Sequence, residues 1–383
     1  MKLFYSLLFV ALVANLQAQS VHTHLPDRAI DFPHVPGYLT LKSDLHMHSV
    51  FSDGDVWPNI RVQEAQRDGL DIVSMTEHLE YLPHKEDIPL PDRNRAHEIA
   101  TNTATNSDLI VIRGSEITRS MPPGHANAIF IQDANKLVME DAAAVFKEAH
   151  DQGAFIFWNH PNWTPQALDG IAKLSPMHQE LIAKGYLNGI EVVNEDTYSE
   201  EALQIAIDNN LTIMGTSDIH GLVDWQFDVP SGGHRPITLI FARERSEASI
   251  KEALFAGRTV VWFNETLIGR INNLEPLIMA SVIIENPAVY QRLGSGKTTQ
   301  VLEVKFTNNS DASFMLFNKS GYTFHANDDL IMLEPHSVTT LQVKTLTAQT
   351  AIDLKFTVLN AVTAPDTHPD LVWHVKVAEQ KNE

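Results

Sequence analysis

The chain contains no cysteine. That absence excludes disulfides, thiolate nucleophiles and sulfur-ligated metal. It agrees with export, where a free thiol is a liability. Basic residues are scarce, with 28 Lys+Arg against 48 Asp+Glu and a formal net charge of −20. Such a surface repels polyanions and anionic membranes, so general nucleic-acid binding is not expected. Bound divalent cations would offset part of that excess locally. No stretch approaches the roughly 18 consecutive apolar residues of a membrane-spanning helix, so no transmembrane segment is expected. Internal repeats and low-complexity tracts are absent as well.

What is present divides the 383 residues into parts. The opening MKLFYSLLFVALVANLQAQS places Lys2 before an apolar run (3–13) and then small and polar residues around Ala18. This predicts a secretory signal peptide over 1–18, although Leu16 is bulkier than the cleavage rule prefers. The mature protein is therefore expected to be exported, periplasmic or secreted. After an extension over 19–37, short β-rich runs alternate with helical patterns from about residue 38. Strands are predicted near 41–47, 70–75, 109–113, 126–131, 154–158, 189–193, 211–215 and 258–263. Helices are predicted near 58–68, 92–103, 140–152, 175–185, 199–209 and 246–256, several of them closed by glycine. Repeated β-α units with near-continuous apolar strands indicate an α/β domain over 38–275, its parallel sheet open or closed into a barrel. A linker is expected over 276–298. Beyond it, alternating or β-branched runs separated by Asn, Asp, Ser and Pro predict a C-terminal antiparallel β-sandwich over 299–383.

Chemistry is concentrated where the predicted strands end. The first ends in Asp44-Leu45-His46-Met47-His48, followed by Ser52-Asp53-Gly54. In an extended segment, side chains two apart point to the same side, so His46 and His48 face one spot. A strand that merely carries two histidines is the ordinary reading of that pair alone. It does not stand alone. His78 follows the second strand, Glu116 the third, His160 another, and Asp218 and His220 the last but one. In a parallel barrel the carboxyl ends of all strands meet at one face. Residues as distant as His46 and His220 would then converge.

The motifs over 44–54, 76–78 and 114–116, with His125, His160-Pro161 and 217–220, resemble in order those of the PHP (polymerase and histidinol phosphatase) superfamily. The resemblance covers roughly 38–265 and implies a distorted (β/α)7 barrel holding two or three divalent metals that hydrolyse phosphate esters. Export, the His-Pro-Asn-Trp run and the β-rich tail further resemble its Sb-PDE-type phosphodiesterase branch. Carried over, the pattern implies a first metal on His46, His48, Glu116 and Asp218. A second would be held by Glu116, as a bridge, with His125 and His160, and a third by Asp53, His78 and His220. Glu116, Asp218 and His220 are the implied catalytic residues. An N/O ligand set suits zinc, manganese or iron.

The physics agrees with phosphoryl chemistry. A carboxylate shared by two cations sets them about 3.5–4 Å apart, where water between them loses its proton near neutral pH and can attack phosphorus. A third cation would neutralise non-bridging oxygens. Asn159 and Asp44 are candidates for orienting ligands, and Asp44 equally for a strand-end hydrogen bond. Arg119, His234 and Arg235 are candidate phosphate contacts, since arginine suits bidentate phosphate recognition. Trp163 could stack on an organic ester group or simply pack at the rim. The remaining histidines, among them His22, His24, His97 and His178, read as surface or structural. The expected activity is hydrolysis of a small phosphate ester, a diester in preference. The alternatives are a phosphomonoesterase and an inactive metal-binding surface protein.

Overall fold

The computed structural model describes residues 28–89, 92–284, 287–293 and 299–378. The expected signal peptide, His22 and His24 lie outside these residues.

The amino-terminal body is built on strands β1 (Leu39–Asp44), β2 (Ile72–Met75), β3 (Ile110–Ile117), β4 (Ala126–Ile129), β5 (Phe155–Trp158), β6 (Gly189–Asn194), β7 (Thr197–Tyr198), β8 (Thr212–Thr216), β9 (Ile237–Ala242), β10 (Thr259–Phe263) and β11 (Thr266–Gly269). They form one curled sheet in the order β11-β10-β9-β1-β2-β3-β4-β5-β6-β7, with β8 paired to β6. β1, β2 and β3 run parallel, as do β5, β6 and β8. β4 lies antiparallel between β3 and β5, and β9 antiparallel to β1. The expected parallel barrel is thus a distorted one. β9 is absent from the predicted strands because only a four-residue helix, Val223–Gln226, and a 3-10 turn precede it, too short to continue the β-α rhythm on which that prediction rested.

The seam between β8 and β9 is closed by side chains rather than by a backbone ladder. Thr238 Oγ1 donates to the Gly215 carbonyl (2.7 Å) and accepts from the Gly215 N–H (2.9 Å). Only glycine fits there, since a Cβ on Gly215 would lie 2.2 Å from Val261 Cγ1. Helices cover the outside, and their starts obey local rules. Pro58 opens Pro58–Arg67, where a missing N–H costs nothing. Ser175 and His178 make a reciprocal cap on Pro176–Ala183, and Asp141, Ser199 and Ser246 cap three others.

The carboxyl-terminal part is a sandwich of a five-stranded and a four-stranded sheet. Strand Ala351–Val358 buries every second residue, as a sheet with one face on the core must. Phe306, Phe356 and Trp373 meet edge to face inside, with centroids 5.9–6.0 Å apart. The sandwich is joined firmly to the barrel. Its strand Ala361–Val362 pairs in parallel with β11, extending the barrel sheet. Asn360 Nδ2 donates to the carbonyls of Glu265 (2.6 Å) and Ser313 (2.9 Å), and Trp373 Nε1 to that of Val282 (2.9 Å). The segment expected to be a linker begins inside helix Ile271–Ser281, which runs through Pro276, and continues in strands Val282–Ile283 and Val289–Leu293. Burial of Leu277 and Ile278 against the sandwich outweighs the loss of one helical hydrogen bond at the proline. Residues 285–286 and 294–298 of that segment lie outside the described ones.

Candidate metal centre

All nine sequence-predicted ligands meet at the carboxyl end of the parallel strands. His46 Nε2 and His48 Nε2 lie 3.1 Å apart, and both face Asp218 Oδ1, at 3.0 and 3.1 Å. Glu116 approaches the same nitrogens with Oε1 and Oε2, each at 3.6 Å. Glu116 Oε1 also faces His125 Nδ1 (3.1 Å) and His160 Nε2 (3.5 Å). One carboxylate, fully buried, therefore stands between two groups of imidazoles. On the other side, Asp53 meets His78 Nε2 (3.3 Å), His220 Nε2 (3.2 Å) and His48 Nδ1 (3.6 Å). His78 spans two groups, since its Nδ1 faces Glu116 Oε2 at 2.5 Å.

Burial opposes charge on each of these groups, and neighbours decide the outcome. Against burial, Asp218, Glu191 and Glu116 hold His46 well above the usual imidazole range. Burial and the positive charge of His78 drive His48 down to about 3. His78 rises against burial to about 10 beside Glu116 and Asp53, and His220 to about 9 beside Asp53 and Asp218. Glu116 and Asp218 stay well below the carboxylate range despite burial, Glu116 chiefly through His78 and Asp218 chiefly through His46. Protons on imidazoles thus stand in for cations, and metal uptake would exchange one for the other.

Whether the residues suit a metal is tested by what they leave unpaired. Asp53 Oδ1, Glu116 Oε2, His160 Nδ1 and Asp218 Oδ1 are buried and, among the described residues, have nitrogen neighbours at most, none in good hydrogen-bond geometry. Buried polar atoms are normally partnered, so orphans in one cluster mark a place for an ion. Three overlapping sets have ligand atoms mutually within 4.8 Å: His48, Asp53, His78 and His220; His46, His48 and Glu116; and His78, Glu116 and His125. The donor set is nitrogen and oxygen, which suits divalent zinc, manganese or iron.

A crystal structure from Bacteroides vulgatus, of a two-domain protein containing a predicted PHP-like metal-dependent phosphoesterase, is 40% identical. It is matched over 92% of this chain and 99% of its own, with a TM-score of 0.82. The chain belongs to this PHP-like family. An Ig-like domain family matches residues 287–374 of the PHP-like chain, in agreement with the sandwich. PsfC from Pseudomonas syringae is 16% identical over 63% of the chain and 96% of its own, with a TM-score of 0.42. A lesion-specific endonuclease from Pyrococcus furiosus is 14% identical over 67% and 63%, with a TM-score of 0.37. No curated protein matches the chain.

The mouth of the PHP-like centre is a cavity of about 160 Å³ lined by Asp53, His78, His125, His160, Trp163, Asn194, Glu195, Asp218 and His220. Trp163 is where a rim residue should be, 45% exposed, with its ring 5.1 Å from His160 and 5.7 Å from His125. Tyr81, 53% exposed, stands 5.7 Å from His78.

The three other candidate substrate contacts lie elsewhere. Arg235 is fully buried behind the ligands, bonded to Asp68 Oδ2 through Nε (2.9 Å) and Nη2 (2.6 Å) and to Asp44 Oδ2 through Nη1 (3.1 Å). Two buried carboxylates claim it, so it cannot meet a phosphate. His234 stacks on Trp262 at 3.5 Å, and both its ring nitrogens face main-chain carbonyls, of Arg235 and Asn264. It lines a separate cavity of about 410 Å³ with Arg28 and Glu265. Arg119 does not line the mouth, because Glu80 (2.8 Å) and the carbonyls of Met139 and Glu140 hold its guanidinium. Sequence proximity to Glu116 and to a glycine pair conveyed nothing about these partners.

Other residues of the centre were missed. Arg61, fully buried, donates to the carbonyls of His48 (2.8 Å), His220 (2.6 Å) and Gly221 (2.7 Å), tying two ligand loops together. Glu77 accepts from Ser49 and Ser52, holding the loop that carries Asp53. Glu191 sits among His46, His160, Asn194 and Thr216. Its signal was available, as a lone acid inside the apolar run Gly189–Asn194. Of the two candidate orienting residues, Asn159 bonds a proposed ligand, while Asp44 fits the strand-end hydrogen-bond reading. Asn159 donates to Glu116 Oε1 (2.8 Å), and Asp44 holds both Ser217 and Arg235.

Proposed function

We propose that this protein is an exported, divalent-metal-dependent hydrolase of phosphate esters that prefers diesters to monoesters. The observation that carries this reading is the convergence of nine N/O ligands with four orphaned buried atoms at one small mouth. His46, His48, Glu116 and Asp218 would hold one cation, Glu116, His125 and His160 a second, and Asp53, His78 and His220 a third. When bound, such cations activate water and neutralise phosphate oxygens as Lewis acids.

The chain's own residues do the rest. Arg61 and Glu77 keep the ligand loops in place, so that the donor atoms are preorganised. Trp163 and Tyr81 offer exposed ring faces for the organic groups of an ester. Among the described residues no lysine or arginine lines the mouth, whereas Glu195 does. A monoanionic diester is better matched to such a mouth than a dianionic monoester, which would bring further negative charge toward Glu195. The amino-terminal sequence supports export.

The test compares hydrolysis of bis(p-nitrophenyl) phosphate and p-nitrophenyl phosphate by metal-loaded protein, before and after chelation. Diester turnover that chelation abolishes is expected. A strong preference for the monoester would overturn the diester reading. Less than one transition metal bound per chain, after purification with metal supplied, would favour an inactive barrel.

A further inference from the structure

Glu191 has contacts that lead to three of the nine proposed ligands, His46, His160 and Asp218. It is 1% exposed and lies where the β6–β8 register shifts, between Glu191 and Val193, a bulge of the kind that re-aims side chains. Both oxygens are filled by donors. Oε1 meets His46 Nδ1 (2.8 Å) and Thr216 Oγ1 (2.6 Å), while Oε2 meets the His160 N–H (2.7 Å) and Asn194 Nδ2 (2.9 Å). Each partner leads to a proposed ligand. His46 is one, and the N–H belongs to another, His160. Asn194 also donates to Asp218 Oδ2 at 3.2 Å, and Thr216 is two residues before Asp218. His160 and Asp218 both have left-handed backbones, with φ of 28° and 47°. Non-glycine residues rarely adopt that conformation without outside support.

We infer that Glu191 is the positioning residue that sets which nitrogen of His46 can bind metal. A carboxylate accepts and does not donate, so it requires the proton on Nδ1. Nε2, which faces His48 and Asp218, is thereby the free donor atom. Carboxylate–histidine pairs of this kind fix the tautomer and strengthen the ligand.

Glutamine would reverse this. The His160 N–H is a fixed donor and must keep an acceptor, so the amide oxygen stays at the Oε2 position. The amide NH₂ then faces His46 Nδ1, which can answer only by becoming an acceptor. Its proton moves to Nε2 and points into the cluster, where it blocks coordination. The fold needs no other change, because glutamine has nearly the same shape.

This inference rests on the metal-binding reading, and its test separates the two. Zinc and manganese affinities are measured by competition with a chelating dye for the wild-type protein and for Glu191→Gln. Metal-free thermal unfolding serves as the folding control. A folded E191Q with affinity reduced about 10–100-fold is expected. A folded E191Q that binds metal as the wild type does would overturn the role of Glu191 alone. A wild type that binds none would overturn the metal reading itself. If E191Q does not fold, nitrogen NMR of the zinc-loaded wild type decides. A proton on His46 Nδ1 with zinc on Nε2 supports the inference, and the reverse pattern refutes it.

Discussion

Replacing Arg235 with alanine should cost stability rather than substrate affinity. Its guanidinium makes three bonds, two to Asp68 and one to Asp44, and no part of it reaches solvent. Removing it strands two buried carboxylates, and breaking such a pair costs about 3–5 kcal/mol. The lower end applies here, because both acids keep other partners. Arg28 Nε still donates to Asp68 Oδ1 at 2.6 Å, and Ser217 still donates to Asp44 through its N–H and hydroxyl. At about 2–4 °C per kcal/mol for domains of this size, the melting temperature should fall by roughly 10 °C. Lysine should recover part of that loss, since it restores the charge without the planar fork. The check is thermal unfolding of the metal-free variant by circular dichroism, alongside KM for a phosphodiester. An unchanged melting temperature with a raised KM would refute this and return Arg235 to the substrate.

Glu116→Ala should abolish hydrolysis and lower bound metal, since it removes an acid facing both imidazole groups, whereas Trp163→Ala should mainly raise KM. Equal, mild losses measured by kinetics and metal analysis would contradict the shared-ligand role. Burial, helped by the charge of Arg113, holds His97 down to about 4. The unfolded chain takes up that proton below about 6.5, so this share of stability is complete above 6.5 and lost as pH falls toward 4. Urea midpoints of chelated protein should therefore drop less between pH 7 and pH 5 in His97→Gln than in the wild type. Identical drops would count against it.

Much of this protein is legible in one dimension. The β-α rhythm, the turn and cap residues and the alternating tail all rest on local rules, and the structure follows them. Seven of the nine candidate metal ligands were legible for a similar reason. They lie at or just after strand ends, and parallel strands bring their ends to one face whatever the details of packing. Asp53, in a loop, and His125, just before β4, were placed by the family resemblance alone. Reading failed where a residue's meaning depends on distant partners. Arg235 looks like a phosphate contact beside Gly232-Gly233 until Asp44 and Asp68 are placed around it. Arg61, in a helix, carries no motif, and Glu191 shows only as a lone acid in an apolar strand, with nothing local to name its partners. Strand β9 and the helix through Pro276 are set by pairing with β1 and by burial against the sandwich, neither of which leaves a local pattern.

The sequence by itself determined the α/β class, the β-rich tail, the acidic character and the strand-end positions of most of the gathered imidazoles and carboxylates, because periodicity and strand-end placement are local properties. Only the tertiary structure decided which buried acids hold those ligands, which arginines are already paired, and how the sandwich extends the barrel sheet. Those outcomes depend on hydrogen bonds and ion pairs between residues that can be well over a hundred positions apart, and their strength depends on burial that no single segment possesses alone.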